Sequence, residues 1–232
     1  YKGDRKKDDT IPWSEIYQHY EAAMKALDEH SDMVVMGIEE AEADDVIAIA
    51  CKHFSQTEKC FVISSDKDFV QLQAHNVFIF DPIQDDFRPK VDPIRYKTIH
   101  IMCAGDDNIK AIKPRTGKKT AEKMLPELDM LLQTNPDMKA RFEFNRLMID
   151  FDYIPTHVSD RILERLNHIE HDNFNGLALM KFFQVSGYQK ISEDISSFRA
   201  KDHHIPTKRN SIEDLEEKVK LEAASTIEDF FS

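Results

Sequence analysis

Between residues 31 and 80, short apolar runs alternate with a segment of helical period, and this alternation restricts the fold more than any other feature of the chain. Met33–Met36, Cys60–Ile63 and Val77–Phe80 read as strands. Glu40–Phe54, between the first two, carries Val46, Ile47, Ile49, Ala50 and Phe54 on one helical face. Strand, helix and strand in this order imply a parallel sheet, because parallel neighbours need a crossover between them. Ser64-Ser65-Asp66 offers a helix N-cap and Asp81-Pro82 a turn. Upstream, Trp13, Ile16, Tyr17, Tyr20, Met24 and Leu27 recur at helical spacing. They predict an amphipathic helix over 12–30, with Pro12 in its first turn and its apolar face on a core. From residue 94 the pattern is helical only, over 94–103, 120–132, 139–147, 158–169 and 177–183. The expected fold class is therefore α/β, a parallel sheet flanked by helices and followed by a mostly helical region.

The topology also says where a ligand sits, since open α/β sheets bind beyond the carboxyl ends of their strands. Three acidic clusters fall at strand ends or loops: Glu42, Asp44 and Asp45; Asp66 and Asp68; and Asp106 and Asp107. Two carboxylates about 4 Å apart repel by roughly 1 kcal/mol in water and about 4 kcal/mol at a protein-like dielectric, so converging clusters need protons or a cation. Oxygen donors suit Mg²⁺ or Mn²⁺, and two such ions can clamp the attacking and leaving oxygens of a phosphodiester. The competing explanation is that acids in a first helical turn complement the helix dipole, an effect of about 0.3–1 kcal/mol each.

Net charge is −12, yet charge distribution decides phosphate binding more than its sum. Lys2, Arg5, Lys6 and Lys7 crowd the start of the chain. Lys110, Lys113, Arg115, Lys118, Lys119 and Lys123 follow the third acidic cluster. Within this second group, Gly117 and Thr120 mark a turn at a helix N-terminus whose backbone donors can hold a phosphate; the alternative is an ordinary basic turn.

At 41% hydrophobic, 232 residues can bury a core in one or two domains. No apolar run approaches the roughly 18 residues of a membrane span, so no membrane partner is expected; the cysteine usage points to an intracellular, cytoplasmic setting. The chain opens Tyr-Lys-Gly-Asp-Arg, which reads as an internal start. Cys51, Cys60 and Cys103 lack metal or redox spacing and read as reduced core residues. The histidines are scattered, His203-His204 lies in a polar stretch, and no Walker loop, nucleophile elbow or dinucleotide fingerprint occurs.

In combination, four motifs resemble those of the 5′ nuclease (flap endonuclease) family: Glu40-Ala41-Glu42-Ala43-Asp44-Asp45, Ile63-Ser64-Ser65-Asp66-Lys67-Asp68-Phe69, Gly105-Asp106-Asp107-Asn108-Ile109 and Gly117-Lys118-Lys119-Thr120-Ala121. Tyr1-Lys2-Gly3-Asp4-Arg5 looks like the family's basic arch motif. Asp150-Phe151-Asp152-Tyr153-Ile154-Pro155 is similar to a stretch of its bacteriophage ribonuclease H branch. The likeness runs from residue 1 to about 198. It implies a PIN-like catalytic domain, a helix-two-turn-helix DNA-binding region and a Mg²⁺-dependent 5′ to 3′ exonuclease and flap endonuclease with ribonuclease H activity. On that reading Glu42, Asp44, Asp45, Asp66, Asp68, Asp106 and Asp107 bind two metal ions, with Asp44, Asp66 and Asp68 in the catalytic set. Lys2 and Arg5 touch the scissile phosphate or 5′ strand, Lys6 and Lys7 add charge there, and Lys113, Arg115, Gly117, Lys118, Lys119 and Thr120 grip the duplex backbone. The implied substrates are DNA and RNA–DNA duplexes with 5′ ends or flaps. The implied setting is the replication fork, with a single-stranded DNA-binding protein among the partners.

Two departures from the family pattern bear on activity. The aspartates of the family's first strand and of the segment before its arch motif have no counterpart from Tyr1 onward, and Asp106 and Asp107 are adjacent where the family spaces them. The resulting expectation is a longer native product or a second polypeptide supplying the missing strand. The expected domains are an arch-like segment and helix over 1–30, the catalytic domain over 31–104, the helical region over 105–198, and a linker and tail over 199–232. In the tail, Ile227 stands three positions before Phe230-Phe231. This looks like a sliding-clamp-binding peptide, the alternative being a segment folded back on the core. A catalytically incomplete, clamp-tethered DNA-binding fragment and an unrelated metal-dependent phosphatase stand as the other functional readings.

Overall fold

The computed structural model describes residues 10–73, 76–103, 109–169 and 174–199. Lys2, Arg5, Lys6, Lys7, Asp106, Asp107 and the tail with Ile227, Phe230 and Phe231 lie outside the described residues. In chain order the described elements are α1 (Trp13–His30), α2 (Ala43–Phe54), β1 (Cys60–Ile63), a 3₁₀ turn (Asp68–Leu72), β2 (Val77–Asp81), β3 (Asp86–Phe87), α3 (Pro93–Met102), α4 (Lys118–Met124), a 3₁₀ turn (Leu125–Glu127), α5 (Leu128–Thr134), α6 (Pro136–Ile149), a 3₁₀ turn (Phe151–Tyr153), α7 (Thr156–Asn167), α8 (Gly176–Val185), α9 (Gln189–Ser192) and a 3₁₀ turn (Ile195–Phe198). The chain divides into two compact units, with boundaries between Gly37 and Ile38 and between Glu164 and Arg165.

In the unit from Ile38 to Glu164, β1 and β2 pair in parallel and β2 pairs antiparallel with β3, in the order β1-β2-β3. One face of this sheet carries Val62, Val77 and Ile79, which pack with Ala48 and Cys51 of α2, with Phe69, Val70 and Leu72 of the first 3₁₀ turn, and with Phe151. Ile79 is fully buried; withdrawing such a side chain from water contributes about 1.5–3 kcal/mol. A second core lies among α3 to α6, built from Ile99, Ile101, Met102, Ile109, Ile112, Ala121, Leu128, Met138, Phe142 and Ile149. Asn145, with no exposed surface, ties that core together: its Nδ2 donates to Ile101 O at 2.9 Å and to Lys110 O at 2.8 Å.

The other unit centres on Ala26, Leu179 and Phe183, with Leu27, Phe182, Ile195 and Phe198 packed around them. Only the C-terminal half of α1 meets this core. Ile16, Tyr17 and Tyr20 are 45%, 49% and 59% exposed, so the apolar face expected to be buried is buried over half its length.

Several other expectations change. Pro12 is the residue before α1, where its missing N–H costs nothing, rather than part of the first turn. Residues 33–36 are not a strand: a strand exists only in a ladder, and no described segment pairs with them. The 120–132 helix is two helices, because Pro126 cannot donate to the preceding turn and a 3₁₀ segment replaces it. The cap after β1 opens a 3₁₀ turn instead of an α-helix. The hairpin strand β3 was not expected; Asp85 in its turn adopts a left-handed φ of 53°.

Candidate metal and nucleic-acid site

The first turn of α2 carries the first acidic cluster because its sequence is a capping arrangement. Glu42 occupies the N-cap, and its backbone N–H donates to Asp45 Oδ2 at 3.0 Å. Asp44 Oδ1 accepts from the Asp45 amide at 3.1 Å. Burial and then the neighbouring Asp44 charge push the Asp45 carboxyl above its ordinary range, against the opposing pull of the Glu42 N–H. The capping hydrogen bond thus engages Asp45, while burial outweighs it and the helix start does not stabilise the Asp45 charge on balance.

The second cluster follows the carboxyl end of β1. Ser64 N–H donates to Phe80 O at 2.9 Å and extends the ladder by one residue. The chain then turns sharply: Ser64 Oγ accepts from the Asp66 amide at 3.1 Å, and Asp66 Oδ1 from the Asp68 amide at 2.9 Å. α2 packs against both β1 and the 3₁₀ turn that follows the Ser64–Asp68 segment, so the two acidic turns belong to elements that pack together.

Three residues that the sequence did not single out surround this turn. Tyr96 and His100 of α3, one helical turn apart, both face it. Tyr96 Oη donates to Lys67 O at 3.1 Å. His100 Nδ1 lies 3.3 Å from Asp68 Oδ1, within ion-pair reach but not aligned as a hydrogen bond. Burial and then the Asp68 charge raise the Tyr96 phenol pKa. Arg88, just beyond β3, donates from Nη2 to Ser65 O at 2.6 Å and to the buried Asp81 Oδ2 at 2.8 Å. Their spacing in sequence carries no signal, since tertiary pairing alone makes them neighbours.

The Asp150–Pro155 stretch joins the same unit. Lys97 Nζ reaches Asp150 Oδ1 at 2.8 Å and Asp152 Oδ2 at 2.6 Å, and Lys52 Nζ reaches Asp152 Oδ1 at 2.8 Å. Gln71 donates to Ile149 O and accepts from the Phe151 amide, while the Phe69 and Phe151 rings stack. The stretch therefore fastens α2, α3 and the turn beneath the acids to one another.

The basic turn is set on the second core by Ile112 and the buried Thr116. Arg115 has a left-handed φ of 64°, and Gly117 is the N-cap of α4 without a side-chain cap. Lys113, Arg115, Gly117, Lys118, Lys119 and Thr120 are all exposed. The first amides of α4, at Lys118 and Lys119, have no partner within the helix by construction.

The family model of the 5′-3′ exonuclease N-terminal resolvase-like domain matches residues 1–100, and that of the T4 RNase H C-terminal region matches residues 79–198. The chain belongs to the T4 RNase H family of 5′-3′ exonucleases. It is 26% identical over 222 residues to the ribonuclease H of Enterobacteria phage T4, an alignment covering 85% of this chain and 71% of the phage protein. A stretch of 50 residues is 44% identical to flap endonuclease Xni of Psychromonas ingrahamii, covering 21% of this chain and 19% of that protein. A solved structure of a T5 5′-exonuclease mutant is similar at a TM-score of 0.46 and 16% identity, over 80% of this chain and 89% of that one. No described helix is long and apolar enough to cross a membrane.

Membership of this nuclease family implies a divalent cation. The donor set is of the right kind, carboxylate oxygens in the first turn of α2 and in the turn after β1, which suit a hard ion. Among the described residues no group of three or more His, Cys, Asp or Glu comes together to hold one. Asp106 and Asp107, the third arm of the expected set, lie outside the described residues.

Proposed function

We propose that this chain is a Mg²⁺-dependent, structure-specific 5′ to 3′ nuclease that removes RNA primers and 5′ flaps during DNA replication. The observation that carries the reading is that two acidic turns, Glu42–Asp45 at the start of α2 and Ser64–Asp68 after β1, lie on elements that pack together in a member of a 5′-3′ exonuclease family. Glu42, Asp44, Asp45, Asp66 and Asp68, with Asp106 and Asp107, would hold the cation. When bound, Mg²⁺, or Mn²⁺ in its place, supplies Lewis-acid stabilisation of phosphate oxygens and a more acidic water.

The chain's own residues orient and bind. Lys2 and Arg5, supported by Lys6 and Lys7, would place positive charge on the scissile phosphate and 5′ strand, where negative charge develops. Lys113, Arg115, Gly117, Lys118, Lys119 and Thr120 would hold the duplex backbone, positioning it without reading sequence. The tail would dock Ile227, Phe230 and Phe231 into a hydrophobic pocket of a sliding clamp, tethering the nuclease beside its single-stranded DNA-binding partner. Deleting residues 226–232 should then abolish clamp pull-down without altering thermal stability.

The deciding test is cleavage of a 5′-labelled flap duplex and an RNA–DNA hybrid by the purified chain in Mg²⁺. We expect short 5′ products that disappear on chelation and in Asp66→Ala/Asp68→Ala, with duplex binding retained. Binding without cleavage by the unaltered chain would sink the catalytic reading and leave a DNA-binding fragment. Hydrolysis of small phosphate esters without duplex binding would point to a phosphatase.

A further inference from the structure

Asp66 stands in a turn whose local hydrogen bonds are few and exposed. Ser64 Oγ holds the Asp66 amide, and Asp66 Oδ1 holds the Asp68 amide, so one oxygen of the carboxylate is itself committed to shaping the turn. Short turns of this kind, closed by their own side chains and open to water, sample other conformations readily. Two side chains from distant parts of the chain remove that freedom. Arg88 Nη2 donates to the carbonyl of Ser65 at 2.6 Å, and Tyr96 Oη donates to the carbonyl of Lys67 at 3.1 Å. These are the carbonyls of the residues immediately before and after Asp66.

Both tethers are themselves anchored. The Arg88 side chain is 14% exposed and forms an ion pair at 2.8 Å with Asp81, whose side chain is 4% exposed. Asp81 also accepts from the Ile83 amide at 3.0 Å, which fixes the β2–β3 turn. Tyr96 is half-buried on α3, and its ring packs edge-on to His100 at 6.1 Å between centroids. The Ser65 carbonyl lies in the peptide plane that enters Asp66, and the Lys67 carbonyl lies in the Lys67–Asp68 peptide, whose N–H is the donor to Asp66 Oδ1; the first tether therefore fixes the backbone on one side of Asp66 and the second fixes the donor that holds its carboxylate. The Arg88 guanidinium also brings a permanent positive charge to a turn with two adjacent carboxylates, where Coulomb repulsion would otherwise favour opening.

We propose that Arg88 and Tyr96 are positioning residues of the nuclease, fixing Asp66 by clamping the Ser65 and Lys67 carbonyls. This rests on the nuclease reading above. Neither side chain needs to touch substrate or cation. Residues that orient a ligand in this way typically change affinity or rate by about 10- to 100-fold when lost.

The test uses Tyr96→Phe, which removes only the hydroxyl, and Arg88→Lys, whose ammonium ends one atom short of the Nη2 that donates to both Ser65 O and Asp81 Oδ2. Three quantities are read on the full chain: amide exchange of the peptide spanning Ile63–Phe69 without metal, Mn²⁺ affinity by calorimetry, and kcat and KM on the flap duplex. The expected result is exchange of the Asp66–Asp68 amides faster by about tenfold, Mn²⁺ affinity weaker by about tenfold or more, and kcat lower by about 10- to 100-fold with KM for DNA unchanged. Wild-type exchange and kcat in both variants would overturn the proposal, as would a loss confined to KM. If the unaltered chain neither binds Mn²⁺ nor cleaves, while exchange at the turn still responds to both substitutions, the nuclease reading fails and the clamp on the turn stands. Should Arg88→Lys not fold, Tyr96→Phe, which leaves the Arg88–Asp81 pair intact, decides the matter alone.

Discussion

Asp152 has a side chain 59% exposed, yet hydrogen bonds from Lys52 and Lys97 hold its carboxyl down to a pKa of about 2. A folded-state pKa below the ordinary carboxylate value, about 3.9, contributes stability that is fully present above that value and is lost as pH falls through the folded pKa. Asp152→Asn should therefore lower the melting temperature at pH 7 by a few degrees, because half-exposed ion pairs are worth about 1 kcal/mol or less each. The difference between the two proteins should shrink from about pH 4 downward and vanish below about pH 2. Paired thermal melts across that range check it, and a difference that persisted unchanged at pH 2 would rule out the ion pairs as its source. Only part of this was legible beforehand. The Asp150–Pro155 stretch stood out as a motif, but Lys52 and Lys97 look like solvated lysines until the fold brings them to it. The same holds for Arg88 and Tyr96: a single sequence shows which residues could pair, while the pairing is set by tertiary approach.

Elements were legible where one physical signal dominated. Alternation and apolar runs located β1, β2 and the helices of the second half, and Gly117 was readable as the start of α4. Legibility failed where two signals competed. Residues 33–36 have strand composition without a ladder partner among the described residues, and residues 120–132 keep a helical apolar pattern across Pro126. For α4 the consequence is testable. Its first turn exposes Lys118 and Lys119 beside Arg115, so each lysine that neutralises a phosphate should add about 0.9 to the slope of log binding constant against log salt. Lys118→Ala/Lys119→Ala should reduce that slope by up to about 2, equally for all duplex sequences, with no change in thermal stability. An unchanged slope in a fluorescence-anisotropy titration would remove this turn from the interface. Asn145, by contrast, acts on the element's foundation. Asn145→Ala leaves the Ile101 and Lys110 carbonyls without its two hydrogen bonds and should cost about 2–4 kcal/mol in a denaturant titration.

At the scale of the whole molecule, the sheet is asymmetric in its cover. Strand register places Phe61 opposite Phe78, Ile63 opposite Phe80, and Phe80 opposite Phe87, so all five lie on one face. The rings pack among themselves, Phe61 on Phe78 at 5.3 Å and Phe80 on Phe87 at 5.3 Å between centroids. Lys90 lies over Phe78, and its ammonium takes part of the place of a covering element. Near-continuous apolar strands such as Cys60–Ile63 and Val77–Phe80 are the pattern of a parallel sheet covered on both sides. Here α2, a 3₁₀ turn and Phe151 cover one side, while on the other Phe61 is 39% and Ile63 71% exposed among the described residues. Those exposures lead to a definite expectation. Ile63→Lys should change the unfolding free energy of the purified chain by no more than about 0.5 kcal/mol, as for an open surface position. It should also weaken binding of an apolar fluorescent dye, because it places a charge at the edge of the aromatic patch, opposite Phe80. A loss of about 2 kcal/mol or more would show instead that this face is packed in solution, since only a buried isoleucine makes a lysine so costly there. Mixing the chain with a candidate partner and repeating the dye measurement then separates the two sources of cover: dye displaced only in the mixture marks a face completed in trans, and dye excluded from the chain alone marks one completed within it.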